Sequence, residues 1–280
     1  MRSPLRQILV HLDHADNVRP RLAAACRLAA PLGAQVTALY AATPAITALP
    51  YGPDLSGGVA TVLQEMDDQR REAARAAFTG FAVEGGPLPT WAESQDIPVI
   101  GVVAQQALFA DLLVLGQRDP RASGLAMVPG DFVEAVVLAS GKPALVLPYV
   151  GWQGAIGQRV AIAWKDTAQA AAAVAAALPL LARAAEVHVL AWDDESAPAV
   201  QGDRLDLDSF LRAHGVTAQW HRGGEAPPEL GELLLSRASD LEADLLVMGC
   251  YGHSRAREWV LGGTSRTLLQ SMTLPVLLAH

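Results

Sequence analysis

The residues best suited to chemistry gather near the carboxyl end. There Gly249-Cys250-Tyr251-Gly252 is followed, nine residues on, by Gly262-Gly263-Thr264-Ser265. Glycines let successive backbone N–H groups converge on an anion with no Cβ in the way. A helix opening just after them adds unpaired donors and a partial positive charge. Thr264 and Ser265 bring hydroxyls, and Arg255, Arg257 and Arg266 supply local positive charge in a chain whose formal net charge is -8. A phosphate group is what such a segment could hold. Neither a G-x4-G-K-[ST] loop nor a G-x-G-x-x-G fingerprint occurs, so P-loop hydrolysis and Rossmann redox chemistry lose support. The same glycines also suit a plain turn followed by a helix start.

The other candidates are weaker. His11 and His14 lie three apart near a strand end and point to different faces, against metal binding. His188 and His221 read as isolated. Cys250 has no base beside it in sequence and reads as a small buried filler. Trp164, Trp192 and Trp220 fall at or just past strand ends, where they could wall a flat ligand or pack the sheet edge.

To position such a loop the chain needs a sheet, and the sequence supplies two. Ala110-Asp111-Leu112-Leu113-Val114-Leu115-Gly116 is echoed 133 residues later by Ala243-Asp244-Leu245-Leu246-Val247-Met248-Gly249. The stretch at 142–147 matches 274–279, and 7–13 matches 159–165 at the larger offset of 152. The first half therefore carries about twenty extra residues. They are expected in the Pro/Gly-rich segment 43–58, where Pro44, Pro50, Gly52 and Pro53 argue against regular structure. Gly151, Gly154 and Gly157 mark a short linker, giving domains 1–150 and 151–280.

Continuously apolar runs alternate with helical-period stretches, as in β-α-β units whose strands are buried on both faces. Strands are expected at 8–12, 35–41, 90–93, 112–115 and 144–147, then at 160–164, 186–191, 217–221, 245–248 and 276–278. Helices are expected at 61–81, 167–182, 206–213, 230–241 and 265–271. The fold class is thus α/β, with two tandem doubly wound five-stranded parallel-sheet domains.

Composition narrows the function. Half the 280 residues are apolar (51%) and 18% are charged, which describes a folded chain with large cores. The negative balance argues against nucleic acid or an anionic membrane as partner. No apolar run reaches the roughly 20 residues of a membrane span, and the first residues lack a signal peptide's apolar stretch; a cytoplasmic protein is expected. Cys26 and Cys250, one in each half, read as free thiols of a reducing compartment.

The tandem halves, the Ala-Asp-Leu-Leu-Val-x-Gly strand and the glycine spacing together resemble the universal stress protein (UspA) family over nearly the whole chain. That resemblance implies an adenine nucleotide alpha hydrolase-like fold, an adenine nucleotide ligand, ATP with Mg2+, and a stress-response role. Carried across, Gly249, Gly252, Gly262, Gly263, Thr264 and Ser265 would hold the phosphates and ribose, with His253 and Arg255 beside them and Met248 against the nucleoside. Ala163, Lys165, Asp166 and Thr167 correspond to the family's adenine-contacting end of the first strand. The family's Asp there is Lys165 here; Lys165 could meet a phosphate, or Asp166 could serve as the acceptor. Gly263 stands where the family has Ser or Thr.

In the first half Asp13 occupies the family position, but Asp119 replaces the second glycine and Pro129-Gly130-Asp131 replaces Gly-Ser. This half reads as degenerate and structural. Nothing supplies a recognisable general base or two-carboxylate magnesium site, so at most slow ATP hydrolysis is expected. The resemblance equally accommodates a nucleotide-free protein-interaction module with an unknown protein partner. A hydrolase or metabolite carrier built around Cys250, His253 and the tryptophans is a third reading. Family domains commonly pair through their last strands, which implies contact between 144–147 and 276–278 and leaves homodimerisation open.

Overall fold

The computed structural model describes residues 5–48, 58–82, 85–119, 127–193, 205–250 and 263–280. The chain divides into two compact units, 3–153 and 154–280.

In the first unit, strands β1 (Gln7–Leu12), β2 (Gln35–Ala41), β3 (Thr90–Ser94), β4 (Leu112–Gly116) and β5 (Ala144–Leu147) pair in parallel, in the order β3-β2-β1-β4-β5. Helices α1 (Ala15–Ala29), α2 (Val59–Thr79), α3 (Val99–Ala107) and α4 (Phe132–Ser140) alternate with them. The second unit repeats the plan. Strands β6 (Arg159–Trp164), β7 (Glu186–Asp193), β8 (Gln219–Glu225), β9 (Leu245–Gly249) and β10 (Val276–Ala279) lie in the order β10-β9-β6-β7-β8, all parallel. Its helices are α5 (Ala168–Leu181), α6 (Leu207–Ala213), α7 (Leu230–Asp240) and α8 (Gly263–Ser271). Both orders reverse beside the first strand of the unit, which is the doubly wound plan expected from the sequence.

The core follows from strand position. β5 and β10 are buried at every residue, as are β4 and β9 up to their final glycines. Strands sandwiched between helix layers have no wet face to alternate toward. The edge strands β3 and β8 stay half-exposed and polar. No helix among the described residues is long and apolar enough to cross a membrane.

The repeated Asp has a structural task in both units. The Asp244 carboxylate accepts from the backbone N–H groups of Gly157 (2.7 Å), Gln158 (3.0 Å) and Arg159 (3.2 Å), where the chain enters β6. Gly157 turns into that position at φ +87°, a conformation side chains resist. Asp111 likewise accepts from Arg6 N (2.8 Å) and Gln7 N (3.0 Å) at the start of β1. The motif therefore fastens the first strand of each unit to its fourth.

Three expectations are corrected. β8 spans Gln219–Glu225 rather than 217–221: Val216 N closes back on Leu211 O (2.9 Å), pairing with β7 begins only at Gln219, and Gly223 and Gly224 continue the strand to Glu225. α2 spans Val59–Thr79 rather than 61–81, begun by Gly58 at φ +84° and ended where Gly80 N donates to Ala76 O. Within the Pro/Gly-rich segment one 3₁₀ turn, Ala45–Ala48, does form. Its first N–H donates to the Asp67 carboxylate (2.8 Å), and Thr47 Oγ1 donates to Pro44 O (2.7 Å).

Candidate functional site

Ligands of doubly wound sheets bind beyond the carboxyl ends of the strands where the order reverses. In the second unit that place is between β6 and β9. Ala163 and Met248 are register partners there, bringing the ends of the first and fourth strands side by side. Both belong to the expected site; Met248 is buried and Ala163 half-buried. Gly249 ends β9 against the first turn of α5. A Cβ at this position would stand 2.5 Å from the carbonyl carbon of Gln169 and 2.9 Å from Ala170 Cα. Only a residue without a side chain lets strand and helix N-terminus approach so closely.

The loop from β6 into α5 carries Lys165, Asp166 and Thr167. Lys165 and Asp166 are exposed. The Asp166 carboxylate accepts the Trp164 indole N–H at 2.8 Å. Thr167 caps α5, its hydroxyl accepting from Ala170 N at 3.2 Å, and its own N–H donates to Lys165 O at 2.7 Å. The Thr167 hydroxyl is thus occupied by the helix it starts. At the other side of the glycine loop α8 begins with Gly263, exposed, then Thr264, half-buried, then Ser265, only 5% exposed. Gly252, His253, Arg255 and Gly262 lie outside the described residues, as do Tyr251 and Arg257.

The surroundings of Cys250 and of two tryptophans decide two of the sequence readings. Cys250 is fully buried, its N–H (2.9 Å) and its thiol (3.4 Å) both directed to Ala279 O of β10. It is a filler beside the last strand, which removes the nucleophile of the hydrolase reading. Trp192 lies on Gly223, whose Cβ would stand 2.6 Å from the indole Cδ1, and the Arg222 guanidinium sits 4.6 Å over the Trp220 ring. Trp220 packs the β8 edge, two strands from β6, and Trp192, at the end of β7, packs toward β8.

His188 and His221 are not isolated. Across β7 and β8, His188 Nδ1 and His221 Nε2 face each other at 3.0 Å, with ring centroids 5.2 Å apart. Burial first, then His188 and then Arg237 hold the His221 pKa below its ordinary value. One-dimensional reading missed the pair because His188 faces Gln219 and His221 faces Leu190 in the ladder, a lateral register that no local spacing encodes.

The corresponding place in the first unit, between β1 and β4, is filled from within. Arg21, 6% exposed, lies against Gly116, where a Cβ would stand 2.5 Å from Cζ and 2.6 Å from Nε. Its Nη1 donates to His11 O (2.9 Å) and to the Asp13 carboxylate (2.8 Å). Burial would raise the Asp13 pKa, but the Arg21 charge, then His11 and hydrogen bonds from Asn17 and Arg21, bring it below the ordinary carboxylate value. Burial also lowers His11, which carries no charge at neutral pH, to a pKa of about 4. Arg118 lies over the other expected loop glycine: a Cβ on Gly130 would meet its Nη1 at 2.5 Å. The sequence placed Asp13 in this site; Arg21, which completes it from α1, is not among the expected residues.

No protein-family model matches the sequence, and no curated protein does. Solved structures do. A universal stress protein from Archaeoglobus fulgidus DSM 4304 superposes with a TM-score of 0.63 at 17% identity, covering 98% of this chain and 97% of that one. A functionally unknown protein from Pseudomonas aeruginosa PAO1 gives 0.56 at 16% identity, covering 98% and 92%. A half-length match, at a TM-score of 0.31 and 19% identity over 52% of this chain and 98% of that one, is a universal stress protein in complex with cAMP.

Proposed function

From the premise that the chain has the universal stress protein fold over nearly its whole length, we propose that it is a stress-response regulator. In this reading the second unit binds one adenine nucleotide, ATP with Mg2+, at the carboxyl ends of β6 and β9. The observation that carries this reading is the contrast between the two switch points. In the first unit the atoms nearest a Cβ on the glycine ending β4 belong to a buried guanidinium; in the second, the atoms nearest a Cβ on Gly249 are backbone atoms of Gln169 and Ala170, which open α5. Backbone N–H groups at the start of α5 and α8 supply donors suited to phosphate oxygens. Met248 and Ala163 offer an apolar floor for a nucleoside, and Lys165 places a cation at its rim. The expected stoichiometry is one nucleotide per chain, because Arg21 and Arg118 fill the first unit's cleft. Calorimetric titration of the full chain with MgATP tests this: wild type should bind one equivalent and Gly252→Asp none. Absence of heat with wild type refutes the proposal.

One observation favours the alternative of a nucleotide-free interaction module. The Asp166 carboxylate, the nearest replacement for the family's base-contacting Asp, is engaged by Trp164. Under that reading, protein purified from cells and denatured releases no adenine nucleotide to mass spectrometry, and titration gives no heat.

A further inference from the structure

We propose that the outer edge of β3 in the first unit is a pairing surface for a second copy of this chain, added antiparallel about a two-fold axis through Ala92. β3 ends the order β3-β2-β1-β4-β5, and among the described residues no strand lies on its outer side. An outermost strand presents backbone N–H and C=O groups that a further strand can pair. The edge strand of the second unit, β8, is blunted against this. Its register with β7 shifts between Ala191 and Asp193, and Arg222 and Glu225 are exposed along it. A bulge and charges are how proteins close an edge to strand addition. β3 has no bulge: all its residues pair with β2 in unbroken register, from Thr37 against Thr90 to Ala41 against Ser94. Its one charge, Glu93, is met by Arg71 (3.6 Å) and Arg75 (3.7 Å) of α2.

The residues of β3 name the occupant. In antiparallel pairing, opposed residues turn their backbone groups the same way, and along a regular strand that direction alternates. A strand can therefore pair with its own copy only about a residue, and not about a peptide bond between two residues. An axis through Glu93 would oppose two carboxylates, which is unfavourable. An axis through Ala92 opposes small Ala92 to itself, Thr90 to Ser94 and Trp91 to Glu93, each pair occurring twice. Trp91 Nε1 already donates to Glu93 Oε2 at 2.9 Å within one copy, so donor and acceptor of the same kinds meet across the axis. Arg75, its side chain 61% exposed, is the cation available to the second copy's carboxylate. Just beyond the two ends of β3, Leu88 and Ile97 are 82% and 60% exposed. The same axis carries Leu88 of each copy toward Ile97 of the other, removing apolar surface from water. One short strand per copy is a small contact, so the association is reversible and depends on concentration. It requires nothing of the nucleotide reading of the second unit.

Light scattering on the full chain during gel filtration, over a rising concentration series, tests the surface. The measured mass should pass from one chain to two. Ala92→Lys sets two ammonium groups opposite each other and should weaken dimerisation at least tenfold with unchanged circular dichroism. Ala92→Cys tests the register independently. Residues directly opposed in an antiparallel pair have Cα atoms about 4.5–5.5 Å apart, within disulfide range, so treatment with diamide should link two chains. Thr90→Cys, off the axis, should not link, and the native Cys26 and Cys250 are buried. A one-chain mass at every concentration, a dimer undiminished in Ala92→Lys, or equal linking by Thr90→Cys and Ala92→Cys overturns the assignment.

Discussion

Replacing Arg21 by alanine should unfold the first unit far more readily than an ordinary helix substitution. The Arg21 and Asp13 side chains are both buried, paired at 2.8 Å, and the guanidinium occupies the space a side chain at Gly116 would need. Removing the cation strands a carboxylate whose remaining partners are Asn17 at 3.2 Å and a neutral His11. Breaking a buried pair from one side costs about 3–5 kcal/mol. For a unit of this size that is a fall in Tm of roughly 6–20 °C. Urea denaturation followed by circular dichroism is the assay, with two companion variants. Asp13→Asn combined with Arg21→Met removes both charges at similar volume and should recover most of the loss. Gly116→Ala should be severely destabilising alone, yet nearly harmless in the Arg21→Ala background, a coupling of at least about 2 kcal/mol. The sign with pH is fixed as well. Asp13 has a folded pKa below its unfolded value of 3.8, so its contribution is present above that value and is lost as pH falls through the folded one. The penalty of Arg21→Ala should therefore shrink in acid. A single-mutant cost under about 1 kcal/mol, or strict additivity with Gly116→Ala, refutes the filled-cleft account.

Gly249→Ala forces a Cβ into the backbone of Gln169 and Ala170, neither of which can swing aside. The loss should reach the upper end of the ~1–3 kcal/mol range for overpacking and should abolish nucleotide binding, measured by denaturation and titration on the same preparation. His11, at about 4 when folded against 6.5 unfolded, binds its proton more readily in the unfolded chain. Stability should be complete above pH 6.5 and fall by roughly 3 kcal/mol toward pH 4, and a His11→Asn variant should flatten that slope. Asp244→Ala leaves three backbone N–H groups at the start of β6 without their acceptor; a loss of about 1–3 kcal/mol and faster hydrogen exchange at 157–159 are expected.

What the sequence revealed and what it concealed divide along one physical line. Strands buried on both faces must be apolar throughout, so Leu112–Leu115 and Leu245–Met248 announce themselves, and duplication exposes the shared strand order. Gly249 is legible too, because a glycine after a buried strand implies close approach. Arg21 is not, since it interrupts the apolar face of α1 formed by Val18, Leu22, Ala25 and Leu28, and the buried carboxylate that pairs with it is visible only in the tertiary structure. The Asp of the repeated motif reads as part of a strand signature, whereas its carboxylate serves backbone some ninety residues away. The His188–His221 pair depends on the lateral register of two strands, set by packing alone. Of the expected phosphate loop, Gly252 and Gly262 lie outside the described residues.

The Asp111 and Asp244 contacts also constrain the order of assembly. Asp111 lies 104 residues beyond Gln7, and Asp244 lies 86 beyond Gln158. A nascent chain thus exposes the apolar first strand of each unit well before the residue that anchors it has been synthesised. Emerging β1 lacks its anchoring carboxylate until most of its own unit has followed it out of the exit tunnel.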